Sequence, residues 1–163
     1  MILGDPYKFA IFIKTIKEWN IDDAFCNGIL LFSVNGIIFP KEIVTATLKS
    51  EIRPLKEKLE KVIVDEKLFK MEKRDAFAKI YNLTFPKDFA KSNDFRYDLT
   101  PYSFADNNCY VFGVSSGKQV RILSAKLKYI IEESRHELEN IDISETVLSI
   151  EELNEIVLKL KIY

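Results

Sequence analysis

The chain has 163 residues, 47% of them apolar and 30% charged, with twelve Phe and seven Tyr, which supplies a core and excludes a disordered segment. Its 24 Lys and Arg nearly balance 25 Asp and Glu, so no global charge draws it to nucleic acid or to an anionic membrane. Two cysteines, Cys26 and Cys109, are too few for a disulfide scaffold and stand among apolar neighbours, where a small buried thiol is expected.

The opening Met1-Ile2-Leu3-Gly4-Asp5-Pro6 lacks the basic start and apolar run of a secretory signal. No apolar stretch approaches the roughly 20 residues that span a bilayer, so a cytoplasmic location is expected. From Tyr7 to Ile16, Tyr7, Phe9, Ile11 and Ile13 recur at every second position, the period of a strand with one buried face. Phe25 to Val34 is a denser apolar run. Asn35-Gly36, both tolerant of positive φ, then joins it to Ile37-Ile38-Phe39 as a hairpin that Pro40 closes. Ile43 to Leu48, rich in Val and Thr, predicts a third strand. After Ser50 the period lengthens: Ile52, Leu55, Leu59, Val62 and Ile63 predict a helix over 51–63 with Ser50 as its N-cap and Pro54 near its first turn. Phe77, Ile80 and Tyr81 predict a second helix over 72–83.

Residues 84–107 carry two prolines and several aromatics without a period, so an irregular stretch with one short strand is expected. Cys109 to Val114, the turn Ser115-Ser116-Gly117 and a long strand from Gln119 to Ile131 predict a second hairpin, with Val111 and Val120 in the core and the long strand central in its sheet. Ile143 to Leu148 reads as a last strand. Ser149 with Glu152 three residues on forms a capping box for a helix ending near Lys159, whose buried stripe would be Leu153, Ile156, Val157 and Leu160. Hairpin-linked strands with helices inserted late predict an α+β fold, a mostly antiparallel sheet of about 5–7 strands with two or three helices packed against one face. No repeat or linker divides the chain, so residues 1–163 read as one domain.

The catalytic inventory is thin. The single histidine, His136, lies in the charged run Glu132-Glu133-Ser134-Arg135-His136-Glu137, where exposure to solvent is expected. Neither cysteine has a flanking basic residue or nucleophile turn to lower its pKa, so a His and Cys dyad lacks support. Five scattered glycines form no phosphate-cradling loop, and two Cys, one His and the pairs Asp22-Asp23 and Asn93-Asp94 do not make a zinc or calcium site. No cofactor, metal or enzymatic activity is expected.

Two charge patterns remain. Lys49, Arg53, Lys56, Lys58 and Lys61 gather on the first predicted helix, interleaved with Glu51, Glu57 and Glu60 as on a solvated face laced with near-neighbour ion pairs. From Glu132 to Glu155 nine acids, Glu132, Glu133, Glu137, Glu139, Asp142, Glu145, Glu151, Glu152 and Glu155, face the single base Arg135. That imbalance fits a solubilising surface and a surface that steers a basic partner equally well, with Glu151 and Glu152 discounted because a helix start favours acids.

Gly4-Asp5-Pro6-Tyr7-Lys8-Phe9-Ala10-Ile11, Trp19-Asn20, Asn27-Gly28, Val34-Asn35-Gly36, Phe39-Pro40 and Thr45-Ala46-Thr47-Leu48 together resemble the opening of the immunity protein 42 family of bacterial polymorphic toxin systems. The ending Ser149-Ile150-Glu151-Glu152-Leu153 also fits. The resemblance implies a cytosolic protein, encoded beside a toxin, that binds the toxin domain and blocks its active site or its access to substrate. It implies no enzyme activity. Within the motif, Gly4-Asp5-Pro6 is expected to set a turn and Trp19 to sit in the core. On this reading the partner is a cognate toxin domain, with no small-molecule substrate, nucleic acid or membrane, and the candidate partner-binding residues are Glu132, Glu133, Glu137, Glu139, Asp142 and Glu145. The alternative is a small regulatory or nucleic-acid-binding module that uses the Lys-rich helix at 51–63.

Overall fold

The structure is a computed structural model that describes residues 1–21, 26–88 and 90–160. The Asp22-Asp23 pair and the Phe25 start of the second apolar run lie outside the described residues. The fold is α+β with antiparallel sheets.

A first sheet contains β1 (Ile2–Gly4), β2 (Phe9–Thr15), β3 (Asn27–Val34) and β4 (Ile37–Phe39) side by side, with β5 (Ala46–Thr47) also paired to β3. Its register, Phe9 opposite Val34 and Ile11 opposite Phe32, sets Phe9, Ile11, Ile13, Leu30, Phe32 and Val34 on one fully buried face. The alternation from Phe9 onward is therefore met, whereas Tyr7 precedes the strand and is exposed. Asn35 (φ 52°) and Gly36 (φ 79°) occupy the left-handed region that a two-residue hairpin requires. A Cβ at Gly28 would collide with the carbonyl oxygen of Lys14 on the neighbouring strand, so this position admits only glycine. β1 leads into the turn expected at Gly4-Asp5-Pro6 and had no sequence signal of its own; three residues are too few for a period to register.

α1 (Leu48–Glu60) begins three residues earlier than its apolar spacing predicts, taking Leu48 from the expected third strand, of which only Ala46–Thr47 pairs as β5. Its first turn is held by Glu51, a buried carboxylate that accepts from the Thr47 N–H (3.2 Å) and from the Ser103 N–H and hydroxyl (3.2 and 2.7 Å). Ser50 is not the cap. Its hydroxyl donates back to the Thr47 carbonyl, and Pro54 consequently lies well inside the helix. The short α2 (Glu66–Lys70) is capped by Asp65, whose carboxyl is held below the ordinary carboxylate range by the Leu68 N–H. α3 (Lys73–Thr84) follows with Phe77, Ile80 and Tyr81 buried, as expected.

The second sheet has the order β10 (Ser144–Ser149), β7 (Gln119–Lys126), β6 (Cys109–Ser115). β7 is central, as expected, but ends at Lys126, and a separate two-stranded ribbon, β8 (Tyr129–Ile130) with β9 (Arg135–His136), follows it. Both faces of β6 and β7 are covered: Val111, Val120 and Ile122 pack with the first sheet, α1 and α5 (Ile150–Lys159), while Tyr110, Phe112, Val114 and Leu123 pack with α3. The strands thus divide between sheets, with helices on more than the single face expected. Within 84–107 the described backbone forms α4 (Tyr102–Ala105) and one isolated bridge from Asp98 to Phe112 in place of a strand. The Ser149 capping box is complete, and Leu153, Ile156, Val157 and Leu160 are buried as predicted. Burial of such aliphatic side chains contributes about 1.5–3 kcal/mol each.

Candidate partner-binding surface

The reactive residue types are committed to structure. His136, expected among solvated charges, is only 7% exposed, because the two-residue strand β9 turns it inward while Arg135 points outward. Its Nε2 lies 2.8 Å from the Asn108 Oδ1, an atom that only accepts, so Nε2 carries the proton. Nδ1 then accepts from the Tyr81 hydroxyl at 2.7 Å. Tyr110 and Tyr129 stand edge-on to the ring at 5.1 Å. Burial lowers the imidazole pKa and raises that of the Tyr81 hydroxyl, so the neutral ring with both nitrogens occupied is the favoured state. Cys109 is fully buried and burial pushes its thiol up to about 11, far from a thiolate at neutral pH. Cys26 is half-buried, with its sulfur 3.8 Å from the Thr15 hydroxyl. Among the described residues no group of His, Cys, Asp or Glu is disposed to hold a metal ion, and no helix is long and apolar enough to cross a membrane.

The acidic segment divides by environment. Glu132 and Glu133 are exposed on the turn joining β8 to β9, where Ser134 adopts a positive φ of 51°. Glu133 makes a long 3.7 Å contact with Arg135. Glu139 and Asp142 are exposed on the link into β10, and Glu137 is half-buried with its N–H donating to the Lys128 carbonyl. Glu145 differs. One of its oxygens accepts two hydrogen bonds from Arg121, at 2.9 and 2.6 Å, and the same guanidinium donates to the carbonyls of Leu68, Phe69 and Met71 at the end of α2. Its charge therefore balances a buried cation inside the fold, a role that sequence spacing could not distinguish from its neighbours'. Trp19, expected in the core, is 39% exposed on a 3-10 turn (Lys17–Trp19) that buries no residue. The neighbouring Asn20 anchors that turn instead, donating to the carbonyls of Ile16 and Asn27 and accepting from the Asn27 N–H.

On α1 two cations pair as the interleaved pattern anticipated, Arg53 with Glu57 at 3.4 Å and Lys56 with Glu60 at 3.6 Å, whereas Lys58 reaches out of the helix to Asp98 at 3.1 Å. Beside this helix runs a concave surface that the periodicity did not reveal. A cavity of about 460 Å³ between Pro54, Lys61, Phe95 and Arg96 adjoins one of about 400 Å³ through Pro54, Lys58 and Phe95. The second meets a third, of about 530 Å³, through Phe85 and Tyr110, and Tyr129, Glu133 and His136 line that third one. The run of aromatics without a period in 84–107 was its one sequence signal.

The family model for immunity protein 42 matches residues 1–163. The chain belongs to the immunity protein 42 family. The resemblance seen in the first 50 residues and the last helix thus extends over the whole length. A fold of the same kind is found in the crystal structure of CdiI from Burkholderia dolosa AUO158, which is 24% identical, with a TM-score of 0.77 over 98% of this chain and 97% of that one. No curated protein matches. In this immunity protein 42 member the third cavity adjoins the β8–β9 turn, because Glu133 lines it.

Proposed function

We propose that the chain, as one domain spanning 1–163, is an immunity protein that binds a cognate toxin domain in the cytoplasm and neutralises it without catalysis, by covering the toxin's active site or its approach to substrate. Family membership over the full length carries this reading. The state of the reactive groups supports it: a neutral, doubly hydrogen-bonded His136 and a thiol-form Cys109 offer no activated base or nucleophile.

The toxin-facing charge resides in Glu132, Glu133, Glu137, Glu139 and Asp142, with Glu145 serving as the brace of Arg121. Such an acidic run, exposed except at the half-buried Glu137, steers and orients a basic partner surface, as an enzyme that handles nucleic acid would present. A nuclease is therefore the toxin class this edge suits. The test is co-expression of this chain with the toxin encoded beside it: growth is restored and the two proteins co-purify. Unrelieved toxicity with a well-folded chain would remove the reading.

A further inference from the structure

The third cavity, of about 530 Å³, falls within the roughly 300–1,000 Å³ of small-ligand sites. Its walls are rings and cations. Phe85 is held edge-on to Tyr110 and tilted against Tyr81, while Tyr129 stands edge-on to His136 and keeps 46% of its surface exposed. Lys87, Lys91 and Arg135 line the same cavity against one carboxylate, Glu133, which meets Arg135 at 3.7 Å. Among the described residues the ammonium groups of Lys87 and Lys91 have no ion-pair partner. Asp88, between them in sequence, is not a lining residue, and its carboxylate accepts from the Ala90 N–H. Three cations against one acid leave a balance of two positive charges in the lining. A second observation lies where this cavity meets its neighbour. Tyr110 lines both and is only 7% exposed, yet its hydroxyl has no hydrogen-bond partner among the described residues. No sealed side-chain polar atom there is left unpaired, so this oxygen opens into the space its ring lines and is satisfied by what enters it.

We propose that this cavity binds a nucleoside monophosphate, with the base against Phe85 and Tyr129 and the phosphate among Lys87, Lys91 and Arg135. The charge balance selects the ligand. A phosphate monoester carries about −1.5 to −2 at neutral pH and neutralises the lining, whereas a single carboxylate would leave a cation uncompensated. The aromatic walls select the rest of it, because every base has a π-face that stacks on such rings. The Tyr110 hydroxyl, recessed between the walls, supplies a donor and an acceptor for the edge of the base. Five scattered glycines form no phosphate-cradling loop. Here side chains from the irregular segment and from the β8–β9 ribbon take that part, and only the fold brings them together. The site does not depend on the toxin reading.

The experiment is calorimetric titration of the full chain with the common ribonucleoside monophosphates, with adenosine and with inorganic phosphate. At least one nucleotide is expected to bind tenfold or more tightly than adenosine or phosphate does, and to weaken as salt is raised. Lys87→Ala combined with Lys91→Ala is expected to raise the nucleotide Kd at least tenfold, and Tyr129→Ala severalfold, at unchanged melting temperature because all three side chains are exposed. Tyr110→Phe, which keeps the packed ring and removes the hydroxyl, is expected to weaken binding severalfold. Hydrogen exchange on the wild type supplies a readout independent of any variant, with nucleotide expected to protect 85–88 and 129–136. No binding of any nucleotide to the folded wild type at millimolar concentration, inorganic phosphate binding as tightly as the nucleotides, or unchanged affinity in both the lysine and the Tyr129 variants overturns the proposal. Protection of the same residues by the neighbouring toxin, in a chain that binds no nucleotide, would assign the cavity to a carboxylate of the toxin and overturn it equally.

Discussion

His136, which its charged neighbours lead one to place in solvent, is a buried structural group in the fold. The imidazole accepts from Tyr81 on α3 and donates to Asn108 before β6, so it ties the β8–β9 ribbon to two other elements. Its pKa lies below the ordinary value of 6.5 because burial penalises the charged form. The unfolded chain therefore takes up a proton at higher pH than the folded one. Stability contributed by this group is complete above about pH 6.5 and declines as pH falls below it. Melting temperature followed from pH 7.5 to 5 is expected to drop more steeply in the wild type than in His136→Gln, which keeps polar atoms and loses the titration. Parallel curves would mean that the ring does not report on pH. Position alone could not reveal this burial, because the inward turn of β9 depends on Tyr81, fifty-five residues away, being there to meet the ring.

Arg121 and the two capping carboxylates act on whole elements. Arg121 on β7 holds the C-terminal carbonyls of α2 and the Glu145 side chain of β10, joining a helix to two neighbouring strands through one guanidinium. Arg121→Ala removes the guanidinium that the Phe69 and Met71 carbonyls and Glu145 share and is expected to cost about 3 kcal/mol of folding free energy, measured by urea denaturation. A loss under about 1 kcal/mol would show that water replaces the guanidinium readily. Ser149→Ala, which removes one half of the α5 capping box, is expected to cost about 1 kcal/mol in the same assay. α5 was fully legible because cap and stripe are both local: Ser149, Glu152 and four aliphatics at helical spacing lie within twelve residues. The start of α1 was not, because Glu51 caps it jointly with α4, and Ser103 lies outside any local window. The short β1, β8 and β9 and the helix α4 owe their form to tertiary partners and left no period to read.

At the scale of the molecule, the antiparallel α+β class was legible from hairpin spacing, whereas the division into two sheets depends on which faces of β6 and β7 find helices and which find the first sheet. The acidic segment was legible as charge; that Glu145 is held by Arg121 while Glu132, Glu133, Glu139 and Asp142 meet solvent required the fold. Replacing Glu132, Glu133, Glu137 and Glu139 together by Lys is expected to change stability by about 0.5 kcal/mol or less per exposed site and to reduce the rate of toxin association strongly at low salt. An association rate that ignores both the reversal and the salt would place the interface elsewhere.

On the proposed reading, this protein neutralises its toxin by occupying it. Titrating the neighbouring toxin domain with the purified chain, and following the toxin's own turnover, tests that most directly. Turnover is expected to fall in proportion to added chain, reach its floor at a fixed near-equal ratio, and return when the complex is dissociated. Complete and lasting inactivation by a small fraction of an equivalent, or full turnover in a large excess of folded chain, would contradict it.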